Sequence, residues 1–290
     1  MNAQSIHWKM PLILTFAAAL YASPVSFAQS MPSYPAPQQQ QQPPQPSPDK
    51  SAPAATPAPA PKIDPAEEAD YKAFFELKPE ENDKRIDLGE NFVLKYPKSK
   101  YAEGVYSQMA NAEYAKQDFP KMYADADKAL ALNPDDPTLL VLVGWVIPHQ
   151  YNPNDVNSDA QLEKAEKYEK HALEILPTVP KPATMTDDQF AKAKAAAESQ
   201  AHSGLGLIYF RKQNWEGAVT ELTKATATAT PPDPTDYYVM GVSLGHLNRF
   251  SEAADAYGKC AAVPGGLQGP CKQKGEDAKK QAAAKPAPKP

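Results

Sequence analysis

Four histidines lie beyond the first 28 residues: His149, His171, His202 and His246. With Cys260 and Cys271 they are the chain's candidates for metal or nucleophilic chemistry. A helical zinc protease needs His-Glu-x-x-His, and a zinc deaminase needs His-x-Glu followed by Cys-x-x-Cys; neither pattern occurs. Two cysteines with no histidine at finger spacing do not make a zinc site. There is no Gly-x-Ser-x-Gly and no P-loop. Gly204 and Gly206 in "SGLGLIYF" lack a third glycine and a preceding strand, so they read as helix packing, as do Gly241 and Gly245. The acidic pairs Asp135–Asp136 and Asp187–Asp188 fall at helix ends, where they cap. No catalytic residue, metal or cofactor is expected, and the chain reads as a non-enzyme.

The elements around these residues begin with an address. Lys9 is the one charge in a short polar start. "PLILTFAAALYA" (11–22) is an apolar run of about twelve residues, too short to span a bilayer as a helix. "SFA" at 26–28 places small residues for signal peptidase. Cleavage after Ala28 is expected, and with it an exported, periplasmic chain with no membrane span; an uncleaved anchor is the alternative. No cysteine follows the run to carry a lipid. Residues 29–65, rich in Pro, Gln and Ala, lack the apolar content for a core and read as an extended linker. Net charge is −5, which argues against a nucleic-acid partner.

From about residue 66 the apolar pattern is helical and strand signals are nearly absent. Small residues recur inside first helices: Ala110, Gly144, Gly206 and Gly241. Ala110 to Gly144 is 34 residues, and Gly206 to Gly241, Ala218 to Ala253 and Ala225 to Cys260 are each 35. The 62 residues from Gly144 to Gly206 hold two insertions. One lies in the turn "PHQYNPNDVNSD" and one is "PKPATMTDDQFAKAKAAAE". Glycine in a helix interior costs about 1 kcal/mol relative to alanine. Its place here is explained if it lets an alanine of the second helix nest closely. Helical hairpins built this way cannot cover their apolar faces alone, so they must stack.

At these positions the chain resembles the tetratricopeptide repeat (TPR) family, over roughly residues 66–280. The third unit supplies His202, Leu205, Gly206, Tyr209, Ala218, Leu222 and Ala225. The fourth supplies Tyr237, Met240, Gly241, Leu244, Ala253, Tyr257 and Cys260. The first matches at Tyr106, Met109, Ala110, Ala126, Ala129 and Pro134, and departs at Glu113 and Met122. The second matches at Leu140, Val143, Gly144, Ile147, Ala165, Ala172 and Pro177. It departs at Glu169, and Pro148 is expected to end its first helix early. The phrase "FVLKYPKSKYAEG" is similar to repeat junctions of exported members. The resemblance implies an all-α, right-handed superhelical solenoid over 66–283. Its parts are a degenerate unit (66–101), repeats at about 103–136, 137–179, 199–232 and 234–267, a capping helix (270–283) and a tail (284–290).

Thr186 and Gln189 fit a capping box, and "DDQFAKAKAAAESQAHSGLGLIYFRK" holds no proline. One helix of about 25 residues is predicted, its front half projecting beyond the stack. Pro270 suits the first position of the capping helix, with Cys271, Gly275, Ala278 and Ala282 on one face. In stacked repeats the residue at Cys260 meets the start of the next helix, where Cys271 sits. In an oxidising compartment a Cys260–Cys271 disulfide is expected; two buried thiols are the alternative.

Within this resemblance ligands lie on a concave face formed by first helices. Carried over, that face comprises Asn111 and Tyr114, Val141 and Trp145, Leu207, Phe210 and Arg211, and Tyr238, Val242 and His246. The set is apolar and aromatic, and lacks the several Lys and Arg of the basic clamp some members use for carboxylate tails. It implies a scaffold binding an unidentified protein or peptide of the cell envelope. The alternatives are a structural accessory subunit of an envelope assembly or secretion complex, or a wall protein held by its basic tail. The aromatics could also pack against the chain's own helices.

Overall fold

The computed structural model describes residues 64–228 and 233–284. The expected leader, nearly all of the linker, and residues 285–290 lie outside the described residues. Among the described residues every regular element is helical. The chain forms two compact units.

The first unit holds α1 (Pro65–Phe75), α2 (Asn82–Lys95), α3 (Ala102–Ala115) and α4 (Phe119–Leu132), each packed on the next. Asp64 caps α1 ahead of Pro65, and Asp118 caps α4. Phe74, Phe92, Tyr101, Val105 and Met109 fill the core of α1–α3. Arg85 is buried, and its guanidinium donates to the carbonyls of Leu77 and Lys78.

The second unit holds α5 (Pro137–His149), α6 (Ser158–Ile175), α7 (Asp187–Arg211), α8 (Trp215–Thr228), α9 (Pro234–His246), α10 (Phe250–Ala262) and α11 (Gln268–Ala284). Each helix packs on the next, and α5 also packs on α7. Thr186 and Gln189 form the capping box of α7, which spans 25 residues. Two expectations about helix ends are corrected. The front half of α7 projects only over residues 187–192, which stay largely uncovered; beyond them Ala193 and Ala197 are buried. Their methyl groups are small enough to admit a neighbour along a stretch that looks solvated. Pro148 does not cut α5 short, since α5 and α9 both span 13 residues. Pro270 sits in the third position of α11, still within the turn whose N–H groups have no helical acceptor.

Three hairpin turns are the same structure. Gln117, Gln213 and Asn248 adopt φ of 61°, 57° and 57°. The amides that follow them reach back to carbonyls near the helix end: Asp118 to Glu113, Asn214 to Tyr209, Arg249 to Leu244. This left-handed cap satisfies the orphan carbonyls of α3, α7 and α9. The repeat is therefore periodic in backbone conformation as well as in side chains.

The recurring glycines receive large side chains, not alanines. A Cβ on Gly206 would lie 2.5 Å from Leu222 Cγ, one on Gly241 2.7 Å from Tyr257 Cε1, and one on Gly144 2.6 Å from Glu169 Cδ. Each partner lies one helical turn beyond the alanine that had been expected to nest there. Each also reaches the following hairpin: Leu222 packs with Val239, Tyr257 faces Gly275, and Glu169 fills the space at Gly204. One side chain thus closes its own hairpin and the next junction together. At the end of the stack Cys260 and Cys271 form a disulfide, Cα–Cα 5.9 Å, fastening α11 to α10. Cys271, Gly275 and Ala278 are buried beneath it.

Several acids are buried with the apolar core. Glu113 and Asp125 are buried on α3 and α4. Burial, then the charge of Asp125, pushes Glu113 up to about 8. Asp236 accepts from Ser203 Oγ at 2.7 Å; burial, then Asp233, raises it to about 8. Carboxyls whose folded pKa is raised bind protons more tightly in the folded state. Their stabilisation is complete below the ordinary carboxylate range and is lost as pH rises through about 8.

Gly241→Ala should lower stability despite alanine's helix propensity, whereas Gly258→Ala, with nothing within 4 Å of the new methyl, should raise it by up to about 1 kcal/mol; denaturant titration reads both. Reducing Cys260–Cys271 should cost about 2–3 kcal/mol in the same assay. The thermal midpoint should fall from about pH 5 to about pH 9, and Glu113→Gln should flatten part of that fall in calorimetry.

Candidate functional site

The ends of α5, α7 and α9 in the second unit collect an aromatic seam. On α5 the Trp145 and His149 rings lie 3.9 Å apart, and His149 Nδ1 donates to the Trp145 carbonyl at 2.7 Å. That bond places the ring's free lone pair on Nε2. Burial pulls His149 below its ordinary pKa, against the raising effect of the Trp145 carbonyl, and so favours the neutral ring.

Pro148 presents a carbonyl at the helix end with no amide beyond to bind it. Arg211, at the end of α7, donates its Nε there at 3.2 Å. The guanidinium lies 5.5 Å from the Tyr151 ring and 5.9 Å from that of Phe210, within cation–π range. Burial lowers its pKa, but the group remains charged. Phe210 meets Trp215 edge-on at 5.6 Å, and Trp215 stacks on His246 at 4.1 Å with planes 5° apart. Behind them Leu207, Leu222 and Val239 form a buried support.

The ten sequence-predicted residues divide. Trp145, Phe210, Arg211 and His246 come together in this seam. Val141 and Leu207 do not line a surface: they are 0% and 4% exposed and belong to the packing between helices. Tyr238 and Val242 are half-buried against the cluster of α10 and α11. Asn111 and Tyr114 lie on α3 in the first unit, where Asn111 donates to the Ser107 carbonyl at 2.9 Å.

Three residues of the seam were missed: His149, Tyr151 and Trp215. A signal for Trp215 exists, since an aromatic opens α4, α8 and α10 at Phe119, Trp215 and Phe250. Tyr151 lies in the inserted turn, outside the repeat's periodicity.

The arrangement sets aromatic rings around a fixed cation. The buried acids sit inside helix packing, and among the described residues no group of three His, Cys, Asp or Glu could hold a metal ion. Nor, among them, is any helix long and apolar enough to cross a membrane.

No family model matches the chain, and no curated protein matches it. Among solved structures it is similar to a protein of Thermus thermophilus described as a thermophilic TPR protein. That likeness has 15% identity and a TM-score of 0.45, and covers 74% of this chain and 99% of the other.

Proposed function

We propose that this chain is an exported, non-catalytic scaffold of TPR type that holds another protein of the cell envelope. The observation that carries this reading is the seam of Trp145, Phe210, Arg211, Trp215 and His246 on successive hairpins. Clustered Trp, Tyr and Arg are the residue types that dominate binding energy at protein interfaces. The Cys260–Cys271 disulfide supports export, because such bonds persist in oxidising compartments. The leader-like run at 11–22 and the small residues at 26–28 support cleavage after Ala28.

A second reading, a permanently assembled accessory subunit, draws on the first unit. Phe75, Leu94 and Leu132 are 46%, 81% and 58% exposed there. Uncovered apolar side chains of this size would serve contact through that unit.

In-cell crosslinking with mass spectrometry separates the two. Trp145→Ala with Phe210→Ala should reduce capture of the specific partner by roughly 30-fold or more, with an unchanged circular dichroism spectrum. Retained capture, lost instead in Leu94→Ser with Leu132→Ser, would favour the accessory-subunit reading.

A further inference from the structure

Glu169 has no charge partner. Its side chain is 0% exposed, and neither carboxylate oxygen has a hydrogen-bond partner. It extends from α6 into the space left by Gly144 on α5 and Gly204 on α7. Leu222 and Tyr257 occupy the equivalent wedge in the next two hairpins, so an acid stands where the repeat places a large apolar or aromatic group.

Several charged groups on the surrounding helices are engaged elsewhere. On α6, Glu166 pairs with Lys170 at 2.6 Å and with Lys212 at 2.6 Å, and it also accepts from Tyr209 Oη. On α7, His202 pairs with Glu221 of α8 at 2.7 Å, and Arg211 is bound to Pro148. On α5 the one titratable group is His149, stacked on Trp145. Desolvation alone acts on Glu169 and raises its pKa well above the ordinary carboxylate value.

We propose that Glu169 makes the α5–α6–α7 junction a proton-dependent latch, closed while its carboxyl is neutral and loosened when the carboxyl ionises. A neutral carboxyl fits the two glycine notches as a side chain of middling polarity. An ionised one is an uncompensated buried charge, which the protein relieves by admitting water between the hairpins. The sign follows from proton linkage: the folded junction binds the proton more tightly, so acid closes it and base opens it. Opening also draws Arg211 from Pro148 and Lys212 from Glu166, the bonds that span the same junction.

Hydrogen exchange of the full chain tests this, corrected for intrinsic rates and followed in peptides from α5 and α6. Asp236 acts at the α7–α9 junction, outside these two helices, and His149 on α5 is common to the wild type and the variants, so the comparison between them isolates Glu169. From about pH 5 to about pH 9 the wild type should lose at least about tenfold in protection there. Glu169→Gln and Glu169→Leu should lose little. Equal loss in wild type and variants overturns the latch. If neither variant folds, the carboxyl carbon of Glu169 is followed by NMR in the wild type. Ionisation coinciding with the loss of protection supports the proposal, and titration in the ordinary glutamate range overturns it.

Discussion

One contact recurs through the second unit and organises it: a long side chain of a second helix seated in a glycine notch of its own first helix. Leu222 on Gly206 and Tyr257 on Gly241 are the plain cases. The glycine gives up helix propensity, and the close approach it permits recovers more through burial and dispersion. Because the same side chain also touches the following hairpin, closing one unit and docking the next are a single event. That coupling explains why the hairpins must be regular. It also explains why the stack ends where Tyr257 faces Gly275, on a helix whose buried stripe is small and whose register is held by a disulfide.

The first unit solves the same problem differently. Gly89 lies on a second helix and admits Phe74 and Met109 from the helices on either side. Ala110 and Ala126, the counterparts of glycine and wedge, are both fully buried. Two small groups stand at these positions, each next to or one turn from a buried methionine, Met109 on α3 and Met122 on α4.

Much of this was legible in the sequence because steric fit demands small residues at a fixed interval. The positions of Gly206 and Gly241, the capping box at Thr186 and the inserted turn before Glu169 all follow from spacing. What rests there did not. Gly206 accepts Leu222 instead of Ala218 because the helices cross one turn further along, and no period encodes a crossing point. Gln117 and Gln213 hide a left-handed turn, since glutamine does not advertise positive φ as glycine does. Val141 and Leu207 belong to the concave face by the family resemblance, but burial places them inside. Glu113 and Glu169 stood out as departures from the repeat, but their desolvation depends on what covers them.

The seam and the buried acids are consequences of this packing. Stacking brings the ends of α5, α7 and α9 into succession and so sets Trp145, Arg211, Phe210 and His246 beside one another. The most direct test of the central contact is a double-mutant cycle at Gly206 and Leu222, read by denaturant unfolding. Gly206→Ala should destabilise the wild type but stabilise Leu222→Ala, with a coupling energy of about 1–3 kcal/mol. The same cost in both backgrounds would mean that the notch and its wedge do not hold the hairpins together.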